Sequence, residues 1–191
     1  MKTVHLLGLC GSLRRGSSHE IILRTAGEEL LPADVRLHLH PLHEIPLYNE
    51  DQDGDATPHA VRALREAACQ SDGVLLGSPE YNHGMSGVMN NALDWLSRPH
   101  GRSPLREKPV LTFTASPAFT GGVRAQQQLN EALWSMQALL VPYPQIVIGT
   151  VGSKLAEGRL QDETARQFLR LGIEAMVALI SARKSACGST S

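Results

Sequence analysis

The chain has 191 residues, 42% of them hydrophobic, with 18 basic and 19 acidic side chains and a net charge of −1. That is enough apolar material for one α/β domain with a full core, and the balanced charge gives a nucleic-acid partner no electrostatic support. Apolar runs fall far short of the roughly 18 residues of a membrane helix, and three widely spaced cysteines suit a reducing, cytoplasmic setting better than a disulfide framework.

In chain order, Thr3–Leu9 reads as a buried strand rather than a signal peptide, because His5 interrupts the run and a Gly-rich turn follows it. Ser17 to about Leu31 reads as a helix that Pro32 ends. Val35–His40 alternates as an edge-like strand; His38, His40 and His43 in and after it lack the companions of a metal site. A long polar loop leads to the amphipathic segment HAVRALREAACQ, then to the apolar strand Gly73–Ser78. Met85–Ser97 has helical spacing, Pro109–Ser116 is a fourth strand, and Val123–Leu140 is a helix with Leu129, Leu133, Met136 and Leu140 in line. QIVIGT is a fifth strand and Asp162–Arg183 the closing helix; the small polar residues 184–191 read as a frayed tail. Strand and helix thus alternate through a single domain, residues 1–183. Such alternation builds a three-layer α/β sandwich, a five-stranded parallel sheet with helices on both faces. Five strands favour the flavodoxin-like order 2-1-3-4-5, which brings the turns after strands 1, 3 and 4 to one crevice.

Those turns are the chemically richest loops of the chain. GSLRRGSSHE opens helix 1 with Gly11, Gly16, three serines, Arg14 and Arg15. Free N–H groups and the positive end of a helix dipole make that a phosphate cradle. It is neither a Walker loop nor a G-x-G-x-x-G turn. Ser17 and Glu20 also have the spacing of a capping box, which would place a carboxylate near any phosphate. GSPEYNHGMSG after strand 3 is a stiff polar turn, able either to match the uracil-like edge of a flavin with main-chain groups or simply to lead into a helix. ASPAFTGGVR after strand 4 allows close approach at Ser116 and at Gly121–Gly122.

At these loops the chain resembles the NADPH-dependent FMN reductase family. GSLRRGSSH is similar to that family's G-S-L-R-x-x-S-x-N, and SPEYNHGMSGVMNNALDW, Ser78–Trp95, to its S-P-E-Y-N-x-x-x-P-G-x-L-K-N-A-x-D-W. HEIPLYNED also resembles the segment after the family's second strand. The resemblance implies phosphate contacts from Ser12, Arg14, Ser17, Ser18 and His19. It implies contacts to the flavin ring from Pro79, Glu80, Tyr81 and Asn82, mostly through main chain, and one near Ser116. It departs from the pattern at His19 for Asn, Ser86 for Pro, and Met89–Asn90 for Leu-Lys.

The implied activity is hydride transfer from NADPH or NADH to bound FMN, then electron delivery to a small acceptor such as a quinone, azo compound, chromate or free flavin. The cofactor carries that chemistry, so no side-chain nucleophile or metal is required. The rival is a flavodoxin-like electron carrier or redox sensor without efficient turnover; the near-neutral charge speaks against a carrier. Asn91 and Trp95 on helix 3, and Gln126, Asn130 and Trp134 on helix 4, lie off the core stripes. They point to packing against another subunit, in keeping with the homodimers and homotetramers that the resemblance implies.

Overall fold

The computed structural model describes residues 3–188, and for 187 and 188 the backbone alone. Strand β1 (Val4–Cys10), helix α1 (Ser18–Thr25), β2 (Val35–His40), α2 (His59–Gln70) and β3 (Gly73–Ser78) follow in order. A small hairpin, β4 (Glu80–Tyr81) with β5 (Gly84–Met85), leads into α3 (Gly87–Leu96). Then come β6 (Pro109–Ala115), α4 (Val123–Ser135), the short strands β7 (Leu139–Leu140) and β8 (Ile146–Ile148), a second hairpin of β9 (Leu155–Ala156) and β10 (Arg159–Leu160), and α5 (Glu163–Gly188).

The central sheet runs β2-β1-β3-β6, and every pairing in it is parallel. Beyond β6 the edge position is shared: Leu139–Leu140 pairs with Pro109–Val110, and Ile146–Ile148 with Phe113–Ala115. This is the flavodoxin-like order, its fifth strand broken where Pro142 and Pro144 have no N–H to donate. Alternation along the strands feeds two cores. Leu6, Leu75, Leu111 and Phe113 pack with residues of α1 and α5. Leu7, Leu9, Val74, Leu76 and Val110 pack with residues of α2, α3 and α4.

Three helix ends differ from the sequence expectation. The first helix is α-helical only to Thr25 and continues as a wide π-helical turn, Ala26–Leu30, with the Ala26 N–H shared between the Ile22 and Leu23 carbonyls. The fourth stops at Ser135 instead of Leu140. Gln137 takes a left-handed φ of 60°, and Leu139–Leu140 joins the open edge of β6. The apolar spacing fitted a helix, but the sheet edge offered unmet hydrogen bonds. The last helix passes Arg183 and carries residues 184–188, where a frayed tail was expected. Lys184 pairs with Asp72 at 2.7 Å and the Ser185 hydroxyl donates to the Ser181 carbonyl, which ties this turn down. Residues 189–191 of the expected tail lie outside the described residues.

The residues expected to face another subunit mostly bind their own chain. Trp95 is fully buried, and its Nε1 donates to the Pro46 carbonyl at 2.8 Å. Asn91 donates to the same carbonyl and accepts from the Tyr48 N–H, both at 2.8 Å. The Tyr48 ring meets Trp95 edge-on at 4.9 Å, and Arg65 covers the indole and donates to the Trp95 carbonyl. The long loop after β2 is therefore clamped onto the end of α3. The Gln126 amide donates to the Thr112 carbonyl and Asn130 accepts from the Thr112 hydroxyl, so both face β6. Trp134 alone of the set stays outside, 63% exposed. Replacing Trp95 by Phe should lower unfolding free energy by about 1–3 kcal/mol, because it removes one of the two donors to the Pro46 carbonyl and leaves part of a fully buried indole site empty. Urea titration measures this, and an unchanged midpoint would contradict the clamp.

Candidate functional site

The parallel register levels the strand ends. Cys10 pairs with Gly77 and Gly77 with Phe113, so β1, β3 and β6 finish side by side and release three loops at one end of the sheet. Pro79 has no N–H to extend the ladder. The Gly11 carbonyl is met instead by the Ser86 hydroxyl at 2.6 Å.

Residues 11–17 form the first loop. Gly11 donates to the Gly77 carbonyl and Ser17 to the Arg14 carbonyl. Among the described residues the N–H groups of Ser12, Leu13, Arg15, Ser18 and His19 meet no protein acceptor. They form a nest at the N-terminus of α1, with Arg14 and Arg15 exposed beside it and the Ser12 and Ser18 hydroxyls partly exposed. Such a donor set fits the terminal phosphate of FMN. Ser17 is only 2% exposed and caps α1, its hydroxyl accepting from the Glu20 N–H at 3.2 Å. Glu20 returns a carboxylate oxygen to the Gly16 N–H at 3.0 Å and pairs with Arg24 at 2.9 Å. Only the Ser17 half of the capping box forms, because the Glu20 carboxylate takes the Gly16 N–H one residue earlier and is held there by Arg24. On its other side, toward β2, this loop borders a cavity of about 520 Å³ floored by Cys10, Leu23, Leu39 and Leu42. Ser12, Leu13, Arg14 and Arg15 of the first loop line that cavity, and neither the hairpin nor the loop after β6 does. Burial pushes the Cys10 thiol above its ordinary pKa, which leaves it a packing residue.

The second loop is the β4–β5 hairpin. Asn82 and His83 both have positive φ, 51° and 67°, the signature of a type I′ turn. Glu80 turns its carboxylate away from the groove to cap α4. It accepts from the N–H groups of Arg124 at 3.0 Å and Ala125 at 3.2 Å. The N-cap of α4, Gly122, has no side chain to do this, and its φ of 91°, like the 64° of Gly121, favours glycine. Gln128 of α4 accepts from the Met85 N–H at 2.8 Å. The Ser78 hydroxyl accepts from the Ser86 N–H, and the Ser86 hydroxyl in turn caps α3 by accepting from the Met89 N–H. The tight turn thus rests on α3 and α4, with the Tyr81 ring exposed.

In the third loop Ser116 accepts from the Ala118 N–H and its own N–H donates to the Ile148 carbonyl, so β8 braces the turn. Phe119 at its tip is 86% exposed. His19 does not point toward the first loop. Its ring is 3% exposed and stacks on Phe113 at 5.7 Å, and Nε2 accepts from the Ala115 N–H at 3.1 Å. Burial lowers its pKa to about 4; the Ser78 main-chain hydrogen bond opposes the shift, and the Arg14 charge adds to it.

The sequence placed these three loops at one end of the sheet but did not reveal several side chains that join them. Ser86 was legible only as a departure from a pattern, and Gln128 and Phe119 carried no motif. Glu80 was read as a ring contact, and its capping role depends on a helix remote in sequence.

A doubly wound sheet with a phosphate-type nest and two braced turns at its C-terminal end defines a flavodoxin-like, cofactor-binding class of protein. Residues 4–153 match the model of the NADPH-dependent FMN reductases, and the chain belongs to that family. It is 36% identical over 174 residues to an NAD(P)H-dependent FMN reductase of Pseudomonas aeruginosa, covering 91% of this chain and 93% of that one. To a quinone reductase of Escherichia coli it is 37% identical over 154 residues, 80% and 81% of the two chains. Among solved structures it superposes on FerB, an NAD(P)H:(acceptor) flavoenzyme of Paracoccus denitrificans. The TM-score is 0.80 at 28% identity, covering 94% of this chain and 98% of that one. FMN, with NAD(P)H as co-substrate, is the cofactor chemistry that this membership carries.

Two outcomes follow from the geometry. His83→Gly should stabilise the fold by up to about 1 kcal/mol, since glycine adopts the left-handed turn without steric cost; a lower melting temperature would contradict the I′ turn. His19 stays neutral in the folded chain down to pH about 4, whereas an unfolded histidine protonates near 6.5. Between those values the unfolded state binds the extra proton. Stability through this group is therefore complete above the unfolded pKa and falls by up to about 3 kcal/mol as pH drops toward 4. Urea midpoints at pH 7 and pH 4.5 should show the loss in the wild type, and H19Q should lack this component. Equal acid losses in both would contradict it.

Proposed function

We propose that this chain is an FMN-dependent NAD(P)H oxidoreductase whose acceptor is a small quinone. The observation that carries the reading is the nest of unpartnered N–H groups at the start of α1, set beside two braced turns at the same sheet end. The nest, Arg14 and the hydroxyls of Ser12 and Ser18 hold the phosphate; Ser17 and His19 contribute through the backbone they shape. The Pro79–Asn82 main chain and Ser116 lie along the ring, and Glu80 keeps that segment in place from α4.

Bound FMN supplies the two-electron chemistry, accepting from NAD(P)H and giving to the acceptor. The protein's share is to seat the ring with one face open. Tyr81 and Phe119, exposed on two of the three loops, offer flat apolar surface to a nicotinamide or a quinone. An open groove walled by exposed aromatics selects for planar acceptors more than for particular substituents. The quinone-reductase relative supports quinones ahead of azo compounds, chromate or free flavin. We further propose a homodimer or homotetramer in the cytoplasm. The exposed Trp134 on α4 supports the first, and free Cys10 and Cys69 support the second.

The test is reconstitution. The purified chain should bind one FMN and oxidise NADPH or NADH steadily in the presence of benzoquinone. Flavin binding without turnover would favour an electron carrier or sensor, and absent flavin binding would overturn the reading. Arg14→Ala should raise the FMN dissociation constant by about ten- to a hundredfold, the worth of one charge-assisted phosphate contact; an unchanged constant would remove Arg14 from the site.

A further inference from the structure

We propose that the His19 side chain is the positioning group of the FMN crevice, setting the spacing of the loops without itself touching the cofactor. The proposal rests on the FMN reading above and concerns a residue at which this chain departs from the family's pattern.

The backbone of His19 belongs to the first loop's nest, where its N–H meets no protein acceptor among the described residues. Its side chain goes the other way, into the sheet. Nε2 accepts from the Ala115 N–H at 3.1 Å, and the Ser78 main chain lies close to the ring. With Nε2 an acceptor, Nδ1 carries the ring's proton. Ser78 directly precedes Pro79, where the hairpin loop begins, and Ala115 directly precedes Ser116, where the third loop begins. One imidazole therefore links the phosphate nest to the roots of both ring-bearing loops. It cannot swing aside easily. Phe113 stacks on it, and Phe113 itself fills the space over Gly77, where an added Cβ would lie 2.3 Å from the Phe113 ring. A displaced imidazole would leave the Ala115 N–H buried and unmet, so the three loops hold the ring as firmly as it holds them. Glutamine offers a donor and an acceptor at about the imidazole's reach; alanine offers neither.

The experiment uses the full-length apoprotein as wild type, H19A, H19Q and I22A, each at a temperature where its own melting curve shows it folded. Ile22 lies in the core on the same helix, one turn beyond Ser18, and its truncation is a stability control that removes none of the bonds named here. FMN affinity is read by quenching of flavin fluorescence, and the backbone around Ala115 by its amide resonance. H19A should bind FMN at least about tenfold more weakly, with H19Q and I22A within about threefold of the wild type. The Ala115 amide should move in H19A and stay near its place in H19Q. Wild-type affinity in folded H19A, or an equal loss in I22A, would overturn the proposal. A wild type that binds no FMN would overturn the cofactor reading. The Ala115 amide in the apoprotein would then decide the positioning claim alone, and an unshifted signal in H19A would end it.

Discussion

The parallel register of β1, β3 and β6 is the constraint on which the rest depends. Pairing Cys10 with Gly77 and Gly77 with Phe113 ends three strands at one level. Parallel strands cannot be joined by tight turns, so each must leave the sheet at that end and return as a helix. Three helix-entry loops are thus forced together with their N–H groups and dipole ends converging. The groove is electropositive through backbone geometry before any side chain is counted. The net charge of the chain, −1, therefore says little about the field at this end.

Convergence alone would leave three independently moving loops. What fixes them is a set of bonds reaching across the sheet end: Ser86 to Gly11, Glu80 to the first N–H groups of α4, Gln128 to Met85, and His19 to Ala115. Most are side chains meeting backbone groups that helix starts and strand ends leave unsatisfied. The same bonds remove polar side chains from the groove and leave main-chain donors facing it. That division suits a cofactor that brings its own reactivity and asks the protein for placement.

Strand order and the three loops were legible because long apolar runs, helical spacing and Gly-rich turns are local signals. What stayed hidden was short or non-local. Strands β4, β5 and β7 have two residues each, too few for a period. The I′ turn carries Asn82–His83 instead of the Asn-Gly that announces such turns. Trp95 lies off the sheet-facing stripe of α3 but is buried by the loop after β2, and a stripe does not report a covering loop. His19 sits in a loop rich in ligand-type residues. Only its place at the second position of α1, above the ends of β3 and β6, sends the ring inward.

The position of the phosphate is what the nest at the start of α1 determines most directly. A crystal structure of the chain with FMN measures this directly. It should place the phosphorus within hydrogen-bond reach of the N–H groups between Ser12 and His19, with the ring against Pro79–Asn82 and Ser116 and the His19 bond to Ala115 intact. A phosphate in the neighbouring cavity beside Leu23 and Leu39, or a ring away from the hairpin, would contradict it.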